Sequence, residues 1–328
     1  MNRLEKTAQL ALFDYLELEP KQALLIVAAR DQAPAAGLFR KVAEKAKIDV
    51  FVLELPGNHD RRTLHSLLSR NFINTAEKVL VLAPRLDTAS INWLRQQTRS
   101  RIVICPVMEE EAVQRSAKTD LRRLRERCRK IADILTIGKT IKVTSKAGAA
   151  LEMSIHQHRG ALEATPLQSG LMCTSLPTGR AYIAPISNTV NGELILNGVA
   201  GERNSSSAII TIKVMDGKIK MIRGGKEAMA LRRRLRTSGA ELVDSSVVKS
   251  KTGTARTVLE IGFGMNEFAR LGQSELEDEK TLGTIHLGFG RRLGSAKLTE
   301  IVARGLITEP TVSIDNRTIM QDGKLMFE

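Results

Sequence analysis

The chain predicts an N-terminal open parallel α/β sheet domain followed by a β-rich α+β domain, and three observations carry that prediction. Between residues 22 and 145 short β-rich apolar runs alternate with 3.6-period segments, which implies parallel strands joined by crossover helices. From about residue 140 the texture changes to closely spaced strand-like runs with turn pairs between them. A length of 328 residues provides material for two cores, so the boundary is drawn near residue 140, giving domains 1–140 and 141–328.

Taken in order, the first half runs QALLIVAA, the helix-like APAAGLFRKVAEKA, IDVFVLEL, RRTLHSLLSRNF, KVLVLAP, TASINWLRQQT and RIVICPV. A long charged segment follows, EEEAVQRSAKTDLRRLRERCRKIADIL. Its apolar positions Leu121, Leu124, Cys128, Ile131 and Ile134 recur at helical intervals. Arg122, Arg123, Arg125, Arg127 and Arg129 therefore fall mostly on its solvated face. The second half runs KTIKVTS, ALEMSIHQ, RAYIAPI, GELILNG, SAIITIKVMDGKIKMI, TVLEIGFG, GTIHLGFG and PTVSIDNRTIMQDGKLMF, interrupted by one helix, KEAMALRRRLRTSG. VMDGKIKMI and SIDNRTIMQDGKLMF place turn residues between alternating ones, the chemistry of hairpins.

The N-terminal MNRLEKTAQLALFDYLEL carries charges among its apolar positions, and no uncharged apolar run reaches 18 residues. These features predict a cytoplasmic protein with no membrane contact. Cys105, Cys128 and Cys173 have no metal-type spacing and read as reduced thiols. The formal net charge of +14 suits an acidic partner, an anionic substrate or nucleic acid. Aromatics at 3% supply few stacking platforms, which argues against a single-strand nucleic-acid binder.

His156 and His158 in HQH point to one face of a strand-like stretch, but two imidazoles do not make a zinc site, and solvent-facing strand residues are the plainer reading. His59 and His65 carry less still. EIGFGMNEFARLG offers Gly262 and Gly264 to a dinucleotide loop, yet the third glycine would fall at Glu267 and the segment opens no parallel unit. LEDEKTLGTIHLGFG is more informative. Asp278 and Glu279 precede a strand carrying His286, and Glu260 lies on an earlier strand, so carboxylates and an imidazole can gather across neighbours. Two readings stay open: a metal hydrolase site, or buried carboxylates that fix Lys280.

In the order IKVTSKAGAALEMSI, SLPTGRAYIAPISNTVNGELILNG, IKVMDGKIKMIRGG, LEIGFGMN, DEKTLGTIHLGFG and GLITEPTVSIDNRTIMQDGKLM, the second half resembles the aminopeptidase T and aminopeptidase S family of two-metal exopeptidases. That family binds its metals through a Glu in a PxGE motif, a second Glu after an apolar strand, a His in a DEN or DEK segment, a Tyr shortly after, and a closing His-x-Asp. By resemblance these positions become Arg180, Glu260, His286 and a site near Leu293. The closing pair becomes Val302, Ala303 and Arg304, or else Ser313 with Asp315.

Arginine has no lone pair for a metal and keeps its charge at any working pH. Like unit charges roughly 4 Å apart repel by about 4 kcal/mol at an effective dielectric of 20, so a metal and Arg180 do not share a pocket. No metal cofactor is therefore expected, and Arg180, Arg304, Arg291 and Arg292 stand in for the cations, with His286 as base and Glu260 orienting it. Such a pocket suits an anionic small molecule or peptide. The structural alternative is that Arg180 pairs with Glu260 and Glu279 and closes the site. Two rival functions remain: a metallo-aminopeptidase using Zn, Co or Mn on Glu260, Asp278, Glu279, His286 and Asp315, or a basic non-enzymatic scaffold for nucleic acid or an acidic protein. The resemblance also implies a homodimer.

Overall fold

The computed structural model describes residues 3–56, 66–67, 73, 75–83, 94, 100–105, 115, 118–164, 173–200, 209–237, 255–293 and 298–327. His59, His65, most of RRTLHSLLSRNF and most of TASINWLRQQT lie outside them. Among the described residues the strands are β1 (Ala23–Ala29), β2 (Asp49–Leu55), β3 (Lys78–Leu82), β4 (Arg101–Ile104), β5 (Thr140–Thr144), β6 (Ala150–Ser154), β7 (Ala161–Glu163), β8 (Cys173–Ser175), β9 (Arg180–Ile183), β10 (Asn191–Leu196), β11 (Gly198–Val199), β12 (Ile210–Met215), β13 (Lys218–Gly224), β14 (Thr257–Gly264), β15 (Thr284–Leu293), β16 (Leu298–Thr308), β17 (Thr311–Ile314), β18 (Arg317–Gln321) and β19 (Lys324–Leu325). The helices are α1 (Arg3–Gln9), α2 (Ala33–Lys45), α3 (Leu121–Ile137), α4 (Lys226–Thr237) and the one-turn α5 (Glu275–Asp278).

By internal contact the chain separates into one unit of residues 1–126, 163–179 and 266–269 and a second holding the remainder. The first unit contains the expected open parallel sheet, in the order β2-β1-β3-β4-β8. Strands β1 and β3 are buried almost end to end because both faces of a parallel sheet are covered, so their sequences ALLIVAA and KVLVL cannot alternate. β2 is the edge, and it is open to solvent, with Asp49, Phe51, Val52 and Glu54 exposed. Helix α2 opens with Pro34 in its first turn and buries Ala36, Phe39, Val42 and Ala43 at three- and four-residue spacing against Leu24, Ile26 and Ala28. Phe39 is fully buried, which contributes about 1.5–3 kcal/mol. The fifth strand, β8, comes from a segment that carries no strand signal of its own and pairs in parallel with β4 through Ile102 and Cys173.

α3 begins at Asp120, whose Oδ1 accepts from the backbone N–H groups of Arg122 and Arg123, both at 3.0 Å, an N-cap that satisfies two orphan donors. Leu124, Cys128 and Ile131 are buried, and Arg122, Arg123 and Arg129 are exposed, as the periodicity predicts. Arg127 departs from that pattern. It is buried and donates to the carbonyl of Met265 at 2.8 Å, so one of the five arginines holds backbone instead of facing water. Cys105 and Cys128 are buried, and burial pushes Cys105 up to about 12, which keeps it unreactive.

The second unit is built on a large antiparallel sheet in the order β11-β16-β15-β14-β13-β12-β10-β6-β5-β17-β18-β19, with β9 joined to β14. Both expected hairpin segments are present. Asp216 and Gly217 turn β12 into β13 with φ of 52° and 71°, and Asp322 and Gly323 turn β18 into β19 with 46° and 76°, the left-handed pairs that two-residue hairpins require. HQH is not part of a strand. β6 ends at Ser154, and His156 and His158 lie in the turn after it, where Gln157 takes φ of 65° and His158 Nδ1 meets the carbonyl oxygen of Ala184 at 2.6 Å. Gly262 and Gly264 lie inside antiparallel β14, which rules out a phosphate-binding loop there.

Candidate functional site

Four adjacent strands, β9, β14, β15 and β16, present one ionisable side chain each to the same face. Arg180 pairs in register with Gly264, His286 with Gly262, and Gly288 with both Glu260 and Arg304. Directly paired residues of an antiparallel sheet share a face, and so do residues two apart along one strand. The glycines explain how such bulky groups fit. A Cβ at Gly262 would overlap the His286 imidazole, and one at Gly288 would lie 3.1 Å from the Glu260 Cβ. Gly262 is therefore required by the imidazole that lies across its backbone, and Gly264 by the close approach of the Thr281 carbonyl.

α5 and the residues after it complete the cluster. Ser274 caps α5 by accepting from the Glu277 N–H, and the turn delivers Glu275 to the cluster's edge and Glu279 and Lys280 to its interior. Arg180 Nη1 stands 2.6 Å from Glu279 Oε2, 3.1 Å from Glu260 Oε1 and 3.3 Å from His286 Nε2. Arg304 reaches Glu279 at 3.2 Å, Glu275 at 3.3 Å and Glu260 at 3.5 Å, while Lys280 Nζ lies 3.6 Å from Glu279. Glu275 in turn accepts from Arg234 of α4 at 2.7 Å. The Tyr182 ring lies 4.5 Å from the Arg180 guanidinium, a cation–π contact that fixes its plane.

Burial sets the electrostatics. It would raise the Glu260 carboxyl, but Arg180, the His286 hydrogen bond and Arg304 hold that group well below the usual carboxylate range. The same opposition, with Arg180, Arg304 and Lys280 outweighing burial, keeps Glu279 ionised. Burial lowers His286 below its ordinary value despite the nearby Glu260 and Glu279, so the imidazole is neutral. Burial opposes the charge of Arg304, and Glu279 and Glu260 more than restore it. His286 Nδ1 is buried without a hydrogen-bond partner, and both Glu279 oxygens are held by charge with no aligned hydrogen bond.

Of the residues the sequence singled out, Arg180, Glu260, Glu279, Lys280, His286 and Arg304 are brought together. Arg291 and Arg292 are not among them. They lie five and six residues further along β15, roughly 15–20 Å of strand from His286; Arg291 pairs with Glu300 at 2.6 Å and Arg292 is exposed. Asp315 is also elsewhere. With φ of 48° in the β17–β18 turn, it accepts from the N–H groups of Lys139 at 3.0 Å and Thr140 at 2.9 Å, tying that turn to the start of β5. Asp278 accepts from the Gly272 N–H at 2.7 Å, Ser313 sits on β17 opposite Lys142, and Leu293 closes β15 opposite Leu298. Sequence reasoning missed Glu275, Arg234 and Tyr182. The capping serine at Ser274 was a signal for Glu275; nothing local marks the other two.

A divalent metal does not fit this arrangement. Among the described residues no group of three or more His, Cys, Asp or Glu side chains is placed to hold one. The donors that come nearest, Glu260, Glu279 and His286, already surround a guanidinium nitrogen. No helix among the described residues is long and apolar enough to cross a membrane.

Fold and site together define a two-unit α/β protein whose antiparallel sheet carries a buried cluster of arginine, glutamate and histidine. The model of the NicX family, 2,5-dihydroxypyridine 5,6-dioxygenase, matches residues 13–289, most of the chain, and the chain belongs to that family. The match contains Arg180, Glu260, Glu279 and His286 and ends before Arg304. A search of curated protein sequences found no match. Among solved structures, 2,5-dihydroxypyridine dioxygenase from Pseudomonas putida KT2440 superposes with a TM-score of 0.77 at 17% identity, over 99% of this chain and 97% of that one. AmpT from Thermus thermophilus superposes with a TM-score of 0.66 at 14% identity, over 99% of each chain. The resemblance to aminopeptidase T is thus a likeness of fold, and the family is the NicX one.

Proposed function

We propose that the chain binds and transforms an anionic small molecule at the cluster of Arg180, Arg304, His286 and Glu260. The observation that carries this reading is the convergence of two guanidiniums, the buried Arg304 and the largely buried Arg180, on Glu260 beside a neutral, buried imidazole whose Nδ1 has no hydrogen-bond partner. With Nε2–H donating to Glu260, the Nδ1 lone pair is available as a base, and the imidazolium it forms is stabilised by Glu260 and Glu279. Guanidinium forks suit planar oxyanions. The relative from Pseudomonas putida is a dioxygenase of a dihydroxypyridine, a ring whose hydroxyls ionise, and ring hydroxyls and ring carboxylates are the ligands this site favours. Proton removal from such a hydroxyl leaves the O–H electron pair on oxygen, beside the two arginines.

The experiment is a thermal-shift and calorimetric screen of hydroxypyridines, pyridine carboxylates and acidic dipeptides against the wild type and Arg304→Gln. Binding at 100 times Kd raises stability by about 2.7 kcal/mol, and the variant is expected to lose that gain for anions alone. A shift that survives in Arg304→Gln, or none with any anion, overturns the reading.

The metallo-aminopeptidase alternative is not favoured, because Asp315 and Asp278 are committed to backbone N–H groups and Arg180 occupies the centre of the remaining donors. Homodimerisation, a cytoplasmic location and the absence of a nucleic-acid role remain part of this proposal.

A further inference from the structure

Arg304 on β16 is buried, yet its guanidinium makes a single hydrogen bond among the described residues, from Nη1 to Glu275 Oε1 at 3.3 Å. Its other two carboxylate neighbours are not aligned for one: Glu279 Oε1 lies 3.2 Å from Nη1, and Nε, 3.5 Å from Glu260 Oε1, is buried with no hydrogen-bond partner. A guanidinium offers five donors in a planar fork, and buried donors in native proteins are ordinarily paired. Glu275 is drawn the other way. Its Oε2 accepts from Arg234 of α4 at 2.7 Å, so one carboxylate bridges two guanidiniums, and its shorter bond is the one to Arg234. Of the three carboxylates around Arg304 it is the most accessible, its side chain 23% exposed against 10% for Glu260 and 1% for Glu279. We propose that the position between Arg234 and Arg304 is a carboxylate-binding subsite in which Glu275 is a tethered, displaceable occupant, and that the carboxylate of an anionic ligand takes its place on Arg304. The displacement rests on the ligand-binding reading above; the subsite does not.

Geometry and charge both favour the exchange. Glu275 opens the one-turn α5, whose backbone is held by the Ser274 cap, so its side chain turns about its own torsions without moving the elements that carry the cluster. It keeps its 2.7 Å bond to Arg234 as it leaves Arg304, and its charge stays paired. Glu260 and Glu279 do not yield in this way, because Arg180 holds each of them as well. Arg304 is already out of water and already paired with a carboxylate, so replacing that carboxylate by another leaves its charge balanced. The incoming group improves the contact: a free carboxylate presents two coplanar oxygens and engages the fork through two parallel N–H···O bonds, where Glu275 supplies one long bond. The chemistry of the resident group sets the class of the ligand, a planar carboxylate.

Two measurements test this. The first removes the tethered group and supplies a free one: thermal unfolding of the wild type, Glu275→Ala and Glu275→Ala/Arg304→Gln in sodium acetate and in sodium chloride of equal ionic strength. Acetate is expected to raise the Tm of Glu275→Ala saturably, and to leave the wild type and the double variant where chloride leaves them. Should Glu275→Ala be unfolded in chloride, recovery of its circular dichroism in acetate supports the subsite equally. The second measurement is calorimetric titration of the wild type and Glu275→Gln with the pyridine carboxylates of the screen above. Glutamine keeps the shape of the side chain and removes its charge, so the ligand competes with a neutral amide and is expected to bind about tenfold more tightly than to the wild type. The inference is overturned if acetate does no more than chloride for Glu275→Ala, if the gain survives Arg304→Gln, or if Glu275→Gln binds no more tightly than the wild type. Rescue by acetate with no anion bound by either protein strikes the ligand-binding reading and the displacement with it, and supports the subsite; ligand binding without rescue upholds that reading and strikes the subsite.

Discussion

His286 is fully buried and neutral, and that makes it a measurable pH dependence. Its folded-state pKa lies below its ordinary value of 6.5, so the unfolded chain takes up a proton first as the pH falls. The stability it contributes is complete above about pH 6.5 and is lost progressively below it. Glu260 and Glu279 behave alike at lower pH: their folded values are depressed, and their contribution fades as the pH drops from about 4.5 toward those values. Urea unfolding at a series of pH values is expected to show wild-type stability declining from about pH 6.5, while His286→Gln shows no decline until the carboxylates titrate. Equal slopes between pH 6.5 and 5 in the two proteins contradict the assignment. Side chains also matter by what they leave behind. Glu279 without Arg180 is a buried carboxylate short of a partner, the situation in which losing one member of a buried pair costs about 3–5 kcal/mol.

Among the elements, β14 shows how a strand can be specified by what crosses it. Gly262→Ala drives a methyl group into the His286 ring, and overpacking of this kind costs about 1–3 kcal/mol. Gly37→Ala in α2 meets nothing within 4 Å and is expected to gain up to about 1 kcal/mol from helix propensity. Chemical denaturation of the two variants should move in opposite directions, and a neutral Gly262→Ala argues against the close stacking. Most strands and both hairpins were legible in the sequence because apolar runs, alternation and Asp-Gly turn pairs are local signals, whereas the short β7, β8 and β11 carry no such signal. The meeting of Glu260, Glu279 and His286 was legible as a possibility because the three lie on or beside neighbouring strands. Arg291 and Arg292 were misplaced because a doubled arginine says nothing about distance along its strand. Asp315 was misread because a turn aspartate that binds backbone and a metal-binding aspartate look the same in a string of letters. Arg127 escaped because a helical period assigns it to an exposed face, whereas its carbonyl partner at Met265 is distant in sequence.

At the scale of the whole molecule, the boundary drawn from texture near residue 140 describes a change in composition, while the units defined by internal contact exchange segments. The first unit recovers residues 163–179 and 266–269 from later in the chain, and its sheet ends with β8. A fragment ending at residue 126 therefore lacks the strand that pairs with β4 and exposes an apolar edge. Such a fragment is expected to aggregate or to lack a cooperative urea transition, and a sharp two-state transition would show that β8 is dispensable.

Arg180 Nη1, held among three donors, is attached to the chain by covalent bonds. A charge tethered in this way is never in exchange with the pool of free ions around the protein. A chelator cannot extract this charge, and scarcity of an ion cannot empty its position. The molecule carries its own supply, fixed at the moment of translation.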